Sequence, residues 1–318
     1  MKLNVIYSAS ETYAQHAYVS IFSLLEKNKI FDEINIYFIT DNMTENTKEK
    51  IKYLVKKYRR NLLFINSDDI LRESAKIKCW NGSNVLNCKL FLGSYLDNTI
   101  DKVLYLDSDS VIMDSLLNVW ETDIEDYYCA GVFLPTVPKY KTYFDSIDEY
   151  LNPGFILINL KKWRDDYLEE KIVDYLKKNS KKELSDEFLI NILCENKIKH
   201  LSIKYNLVPE FYFFKSEEMK KIHQCESFYT QQEIDNALKN PVFIHFLGHL
   251  YNRPWNKECT HPAKNIYLYY LERSPWKNAL GNEKLPLKNK LMVFLYKVLP
   301  FKVFLFLKNK LERGANRQ

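Results

Sequence analysis

The fold is decided by the segment Lys102-Val-Leu-Tyr-Leu-Asp107-Ser-Asp109-Ser-Val. Its apolar residues are typical of a buried strand, which ends in two carboxylates spaced i, i+2 that an ideal strand would place on one face. Two like charges there repel each other and lose hydration unless a cation lies between them. The segment therefore favours a divalent metal site open to phosphate oxygens, although a solvated strand-end turn is commoner for such a pair taken alone.

Strand and helix patterns alternate on the N-terminal side of this segment. Such alternation predicts an α/β fold with a mostly parallel, Rossmann-like sheet and helices on both faces. Ligands of such sheets bind beyond the carboxyl ends of the strands. The predicted strands are 3–7, 34–39, 62–65 and 103–106, and the predicted helices are 13–27, one capped by Thr44 that extends to Tyr58, and 84–96.

The alternation of strand and helix patterns is less regular after Asp109. Because the chain has no internal repeat and no low-complexity linker, we expect one domain over residues 1–275 and an appended segment over 276–318. The further predicted elements are strands at Tyr127–Leu134, Phe155–Leu160 and Val242–Leu247, and helices near Lys162–Lys177 and Ser185–Glu195.

Glycine usage excludes two common kinds of nucleotide site. The chain has seven glycines, and no two lie within ten residues of each other. The dinucleotide fingerprint and the P-loop both need clustered glycines, so that backbone N–H groups can close around phosphates. A nucleotide bound here must therefore have its phosphates held by a cation and by basic side chains.

Charge and cysteine content narrow the possible class of protein further. The net charge is +5, but residues 283–318 carry nine Lys/Arg and two Glu, or +7, which leaves the first 282 residues at −2. A nucleic-acid partner is therefore not expected. The six cysteines form no CxxC pair, and neither a signal peptide nor a run of ~20 apolar residues stands out. We therefore expect reduced thiols and a cytoplasmic protein.

Several motifs follow one another along residues 3–255. Asn84-Val-Leu-Asn-Cys-Lys89 precedes the segment that contains Asp107 and Asp109, and Leu117-Asn-Val-Trp120 follows it. Together they resemble the donor-binding half of glycosyltransferase family 8, which includes bacterial lipopolysaccharide galactosyl- and glucosyltransferases and, more distantly, glycogenin. The resemblance implies a single-domain GT-A fold and a retaining enzyme that uses UDP-glucose or UDP-galactose as donor and a saccharide as acceptor.

Four further segments are similar to motifs of the same family. Each also has an ordinary structural explanation, such as a turn at Asn152, a helix cap at Ser185 or Asp186, or a satisfied histidine after an apolar run. The segments are Val5–Ala14, which is similar to the first strand and uridine loop; Asn152-Pro-Gly154; Ser185-Asp186-Glu187, at a helix start; and His245-Phe-Leu-Gly248, followed by Arg253-Pro-Trp255.

The resemblance also implies a set of site residues. Its metal ligands are Asp107, Asp109 and His245, and the imidazole favours Mn²⁺ over Mg²⁺. The implied catalytic residues are Asp186 and Glu187. The implied donor-binding residues are Ser8, Ser10, Tyr13, Lys89, Asp107, Ser108, Asn152, Gly154, Gly248 and Arg253.

Four of these positions depart from the family pattern. Where the family usually has Asp, Arg, Gln and Lys, this chain has Ser10, Lys89, Glu187 and Arg253 in that order. The gap between Gly248 and Arg253 is also two residues longer than in the family pattern. The change at Glu187 bears on mechanism, because a glutamate can act as a nucleophile and an amide hardly can. Same-face attack, in which the departing phosphate takes the acceptor proton, is the other route to retention.

Residues 286–299 and 301–311 carry two short amphipathic patterns, separated by Pro300. Bulky apolar residues interleaved with lysines are typical of helices that lie in an anionic membrane interface. Helices packed on the catalytic domain would show the same pattern. We expect peripheral attachment to the cytoplasmic face of a membrane.

Two other functional classes fit part of the sequence. Asp107-x-Asp109-Ser-Val after an apolar strand also resembles the haloacid-dehalogenase phosphatases, in which Asp107 would be the nucleophile. Those enzymes carry the motif on their first strand, whereas about a hundred residues precede it here. A non-catalytic, membrane-attached sugar-binding protein is the third alternative.

Overall fold

A computed structural model describes residues 1–71, 85–135, 150–179 and 184–315 of the chain. Within these ranges, seven strands form the central sheet and two short strands pair separately. The strands are β1 (Lys2–Ser10), β2 (Glu33–Asp41), β3 (Asn61–Asn66), β4 (Lys102–Asp107), β5 (Ser110–Ile112), β6 (Cys129–Leu134), β7 (Tyr150–Asn159), β8 (Ile198–His200) and β9 (Phe243–His245).

The central sheet has the order β3-β2-β1-β4-β7-β6-β8. Strand β7 runs antiparallel to both of its neighbours, β4 and β6, and every other pair in this sheet is parallel. The second sheet is the antiparallel pair β5-β9, in which Ser110 lies opposite His245. The predicted mostly parallel α/β sheet is confirmed.

Helices cover the sheet on both faces, because the strands have two apolar sides. Along β1, Val5 and Tyr7 contribute to one hydrophobic cluster and Ile6 to the other. The helices are α1 (Ala14–Lys27), α2 (Glu45–Lys57), α3 (Ser67–Ile70), α4 (Leu92–Tyr95), α5 (Leu117–Trp120), α6 (Leu160–Asp165), α7 (Leu168–Lys178), α8 (Asp186–Cys194), α9 (Pro209–Phe213), α10 (Ser216–His223), α11 (Gln231–Lys239), α12 (Lys264–Leu271), α13 (Leu287–Val298) and α14 (Phe301–Ala315).

Two predicted helices differ in detail. The helix predicted near Lys162–Lys177 is two helices, α6 and α7, because Tyr167 takes a left-handed backbone conformation with φ of 53° between them. The helix predicted over 84–96 is a 3₁₀ helix at Val85–Phe91 followed by α4. Its predicted first residue, Asn84, lies outside the described residues.

Strand β7 begins at Tyr150, five residues before the predicted Phe155. The alternative in which Asn152 forms a turn before Pro153 is therefore wrong. The register between β6 and β7 shifts at Gly131/Val132, and such an irregularity accommodates a proline that cannot donate to the ladder. Asn152 and Gly154 consequently belong to a strand in the middle of the sheet.

Helices α13 and α14, the C-terminal helix pair, pack on the domain through a few aromatic rings. Tyr296 lies 4.7 Å from Phe213 and 4.9 Å from Phe214 between ring centroids, and Phe304 is 2% exposed. Other apolar side chains of the pair face outward. Among the described residues, no helix has the length and apolar character needed to cross a membrane.

Candidate active site

Asp107, Asp109 and His245 come together at the carboxyl end of β4, and we call them the metal-ligand cluster because their side chains could hold a metal ion. One ligand atom from each lies within 4.8 Å of the others. Strand β4 ends at Asp107, and the chain turns so that the Ser110 hydroxyl donates to the Asp107 carbonyl at 2.7 Å. The carboxylates therefore meet across a turn, rather than on one face of a continuing strand as predicted.

The pairing of β5 with β9 brings His245 to the two aspartates. Its Nε2 lies 3.1 Å from Asp109 Oδ1 and 3.6 Å from Asp107 Oδ2. Its Nδ1 lies 3.1 Å from Asn206 Oδ1, an oxygen that can only accept, so Nδ1 carries the proton. In the neutral imidazole Nε2 then has its lone pair available for a metal, which is the usual arrangement of a metal-binding histidine.

Gly154 closes the cluster from β7. A Cβ atom at this position would lie 2.3 Å from His245 Cε1 and 2.9 Å from Asp107 Oδ2. Its backbone N–H donates to Asn152 Oδ1 at 3.2 Å, and the same oxygen accepts from Asn206 Nδ2 at 2.8 Å. Only glycine fits here, because any side chain would displace two members of the cluster.

The cluster is electrostatically suited to a cation. Burial raises the pKa of Asp107, with Lys89 and His245 opposing. Burial also acts on Asp109, but His245 and Arg253 hold its pKa well below the usual range. Burial lowers the pKa of His245, yet the two aspartates raise it overall. The buried carboxylate of Asp109 and the half-buried carboxylate of Asp107 concentrate negative charge beside one histidine, and a divalent ion would neutralise that charge.

Arg253 approaches the cluster from the loop after β9. Its Nη1 lies 2.5 Å from Asp109 Oδ2, and its guanidinium carbon lies 5.8 Å from the Tyr13 ring centroid and 5.1 Å from that of Trp255. A Cβ on Gly248 would lie 3.0 Å from Arg253 Cγ. Gly248 therefore leaves room for the arginine stem, and two aromatic rings orient the guanidinium.

The Lys89 side chain is buried and not accessible to a ligand in this structure. Its side chain is 2% exposed, and its Nζ lies 2.7 Å from Asp186 Oδ2 and 4.0 Å from the Tyr105 ring centroid. Burial lowers the pKa of Lys89, but Asp186 and Tyr105 raise it overall. Direct contact of this ammonium with the donor stays a prediction, whereas its ion pair with Asp186 is part of the structure.

The predicted uridine loop surrounds the end of β1. The Ser8 hydroxyl lies 2.6 Å from the Tyr105 hydroxyl, and the Ser108 hydroxyl donates to the Ser8 carbonyl at 2.9 Å. Ser10 lies two residues beyond Ser8 and makes a local contact with Thr12. Ser8 and Ser108 thus border the cluster, while the donor contacts of all three serines stay predictions.

The two predicted catalytic residues open helix α8. The Ser185 hydroxyl caps this helix by accepting from the Phe188 N–H, so the capping explanation holds for Ser185. Asp186 is the partner of Lys89, and Glu187 follows it in the first turn. Asn191 fixes the helix to β7, because its side chain accepts from the Leu151 N–H and donates to the Leu151 carbonyl.

Sequence patterns missed two residues that organise the cluster. Asn206 connects His245 to Asn152, and Tyr105 donates to Asp107 Oδ1 at 2.9 Å. Asn206 follows a short 3₁₀ helix and belongs to no motif. Tyr105 lies within the apolar run of its strand and therefore looks like a core residue, although its position two residues before Asp107 puts it on the same face.

The profile of glycosyl transferase family 8 matches residues 4–259. The chain belongs to this family. Lipopolysaccharide 1,2-glucosyltransferase of Escherichia coli K12 is 28% identical over 87% of the chain and 79% of its own length. Lipopolysaccharide 1,3-galactosyltransferase of Salmonella typhimurium is 22% identical over 86% of the chain and 79% of its own length.

Solved structures support the fold. The galactosyltransferase LgtC, solved in complex with donor and acceptor sugar analogs, superposes with a TM-score of 0.67 at 20% identity. The superposition covers 91% of this chain and 99% of LgtC. The GT-A type of fold predicted from the sequence is confirmed, and the family 8 chain is a glycosyltransferase.

Neither alternative class is favoured by these findings. Three described strands precede the one that Asp107 ends, and Asp107 shares its site with Asp109 and His245. Those features do not match a haloacid-dehalogenase nucleophile. A binding protein without catalysis is not favoured either, because the matched family consists of transferases.

Proposed function

We propose that this glycosyltransferase moves glucose or galactose from a UDP-sugar to a cell-surface or lipid-linked saccharide, with retention of the α configuration. The observation that carries the proposal is the convergence of two carboxylates and one imidazole within 4.8 Å. The chain lacks clustered glycines, so its phosphate site needs a cation. Its relatives are named for glucosyl and galactosyl transfer to lipopolysaccharide.

The donor set fits Mn²⁺, with Mg²⁺ as the second choice. Mg²⁺ prefers an all-oxygen shell, whereas Mn²⁺ accepts an imidazole with two carboxylates. When bound, the ion would neutralise charge on the departing diphosphate. Asp107, Asp109 and His245 would hold it, and Asn206 would keep the imidazole in the tautomer that presents Nε2.

Arg253 and Gly248 are the residues we propose for the diphosphate. A guanidinium forms two parallel hydrogen bonds to phosphate, which suits a residue already seated between Tyr13 and Trp255. Ser8, Ser10 and Tyr13 would border the uridine, and Ser108 would contact the donor beside Asp107.

The sugar would lie between β7 and α8. Asn152 and Asp186 are its proposed contacts, and Lys89 holds the Asp186 carboxylate from beneath. Glu187 is the proposed nucleophile for a two-step route: its carboxylate would attack the anomeric carbon as the bond to UDP breaks. The acceptor oxygen would then displace the carboxylate, and the acceptor proton would pass to the released diphosphate. In the one-step alternative, the departing phosphate takes the proton of the acceptor hydroxyl.

Glu187→Gln separates the two routes, because it removes the nucleophile and keeps the shape. A two-step enzyme would lose about 100-fold or more in kcat, measured as sugar transfer under saturating donor. Glu195→Gln, at the far end of α8, is the matched control. A transfer rate like that of the wild type in Glu187→Gln would eliminate the nucleophile role.

The donor and the metal can be identified together. UDP release from a panel of UDP-sugars, without acceptor, is measured with Mn²⁺, Mg²⁺ or EDTA. We expect slow hydrolysis of UDP-glucose or UDP-galactose with Mn²⁺, less with Mg²⁺ and none with EDTA. Equal release with EDTA would refute the metal assignment, and release only from other UDP-sugars would refute the hexose.

We also propose that residues 276–318 attach the catalytic domain of residues 1–275 to the cytoplasmic face of an anionic membrane. Three apolar side chains of the C-terminal helix pair are strongly exposed, namely Leu287 (83%), Phe294 (58%) and Phe306 (67%). Exposed lysines accompany them at positions 288, 290, 297, 302 and 310. Apolar side chains beside lysines complement acyl chains beneath anionic headgroups.

Vesicle cosedimentation tests this attachment. Phe294→Ser with Phe306→Ser should reduce binding to vesicles that contain anionic lipid, and neutral vesicles should bind the wild type weakly. Ile30→Ser, which removes an equally exposed apolar residue far along the chain, is the control. Unchanged binding of the double variant would refute the membrane role without affecting the transferase assignment.

A further inference from the structure

Tyr105 lies beneath the metal-ligand cluster, and the proposed reaction assigns it no role. It is fully buried on β4, two residues before Asp107 and therefore on the same face of the strand. Its hydroxyl donates to Asp107 Oδ1 at 2.9 Å and lies 2.6 Å from the Ser8 hydroxyl on the neighbouring strand.

The direction of these hydrogen bonds follows from chemistry. An ionised carboxylate can only accept, so the phenol gives its one proton to Asp107, and Ser8 must then donate to the phenol oxygen. Tyr105 is therefore the donor in its hydrogen bond to Asp107 Oδ1.

The other carboxylate oxygen of Asp107, Oδ2, faces the other members of the cluster. Asp107 Oδ2 lies 3.6 Å from His245 Nε2 and is the oxygen that a Cβ at Gly154 would approach at 2.9 Å. The two oxygens of Asp107 consequently have separate roles. One is tied into the protein, and the other points to where a cation would bind.

The ring of Tyr105 connects Asp107 to Lys89 and Asp186, on the side of the cluster where the sugar is proposed to lie. Lys89 Nζ lies 4.0 Å from the ring centroid and 2.7 Å from Asp186 Oδ2. A buried lysine needs such partners, because an isolated ammonium in the interior is costly. One continuous series of contacts thus joins Asp186, Lys89, Tyr105 and Asp107.

We propose that Tyr105 is a positioning residue: it holds Asp107 with Oδ1 turned inward and Oδ2 presented to the metal, and through Lys89 it fixes Asp107 relative to Asp186. This inference rests on the proposed function, since it takes Asp107 as a metal ligand. Groups that orient metal ligands in this way change metal affinity by about 10–100-fold when removed.

Tyr105→Phe tests the role, because it deletes the hydroxyl and keeps the ring under Lys89. Mn²⁺ affinity is measured on the full chain without any donor, from the EPR signal of free Mn²⁺. We expect affinity about 10–100-fold weaker than in the wild type. Ser8→Ala, which removes the donor to the phenol, should weaken Mn²⁺ binding by a smaller factor.

Tyr7→Phe is the matched control. Tyr7 is an equally buried tyrosine on the adjacent strand β1, but its hydroxyl bonds to Ser20 at 3.0 Å and touches no member of the cluster. Both tyrosine variants should lose comparable thermal stability, while only Tyr105→Phe should lose Mn²⁺ affinity. A purely structural role for Tyr105 would make the two variants behave alike.

The outcomes separate this inference from the metal assignment. If the wild type binds Mn²⁺ and Asp109→Asn does not, yet Tyr105→Phe binds within about twofold of the wild type, the positioning role is overturned and the metal centre stands. If the wild type binds no Mn²⁺ with or without UDP, the metal centre and the positioning role both fail.

Discussion

The metal-ligand cluster and the C-terminal helix pair use charged and apolar residues in opposite ways. In the cluster, His245 is 2% exposed and Asp109 11%, and each lies within 3.1 Å of the other. On the helix pair, Leu287, Phe294 and Phe306 face outward with lysines around them. Buried charges with fixed partners suit a site that must hold one geometry, whereas an exposed amphipathic surface suits a partner without fixed geometry.

The helix pair provides the largest expected effect on stability, through two neighbouring phenylalanines. Phe304 is 2% exposed against Phe214 and Tyr296, whereas Phe306 is 67% exposed. Phe304→Ala should lower the free energy of unfolding by about 3–5 kcal/mol, and Phe306→Ala by less than about 0.5 kcal/mol. Urea denaturation measures both. Equal losses would show that the pair has no distinct inner and outer faces.

Gly154→Ala tests whether the metal-ligand cluster needs one fixed geometry. The new methyl group would overlap His245 and Asp107, so Mn²⁺ affinity should fall by about 100-fold. Gly131→Ala in β6 is the control, because its methyl group would meet the Leu151 side chain at 2.2 Å and should cost stability rather than metal affinity. Calorimetric titration with Mn²⁺ distinguishes them, and normal binding by Gly154→Ala would contradict the proposed site.

Arg253→Gln should weaken UDP binding by about 10–100-fold, because a charge-assisted hydrogen bond contributes roughly 1.5–3 kcal/mol. Arg253→Lys keeps the charge but loses the planar fork, so it should recover only part of the affinity. Lys257→Gln removes an exposed positive charge from the same loop and should bind UDP normally. Equal affinity in all three variants would remove Arg253 from the diphosphate site.

The last expected effect is on the pH dependence of stability, through His16. Burial lowers the pKa of His16 to about 3, and its ring stacks on Trp255 at 3.6 Å. The unfolded chain takes up this proton near pH 6.5, whereas the folded chain does not until about pH 3. Stability should therefore fall as the pH decreases through this window, by at most about 1.4 kcal/mol per pH unit.

His16→Phe keeps the stack and removes the titration. Its free energy of unfolding, measured by urea denaturation between pH 7 and pH 5, should decline less steeply than that of the wild type. Parallel declines in the two proteins would show that protonation of His16 does not contribute.

Much of the fold was predictable, because its signals are local. Apolar runs predicted the strands β1 to β4 to within three residues at each end. Larger differences occur where tertiary contacts intervene, as at Tyr150 in β7 and Tyr167 between α6 and α7. A strand can extend through Asn152-Pro153 only because a neighbouring strand accommodates it. No local pattern carries that information.

The sequence by itself determined the family and the sheet type, and its family motifs named Asp107, Asp109 and His245 as one predicted ligand set. Those are properties of motif order and periodicity. Only the tertiary structure decided that Lys89 is buried against Asp186, that Tyr105 and Asn206 hydrogen-bond to Asp107 and His245, and that the C-terminal helices have one packed side. Each depends on contacts between residues far apart in the chain, such as the 97 positions between Ser8 and Tyr105, and local periodicity does not encode such distances.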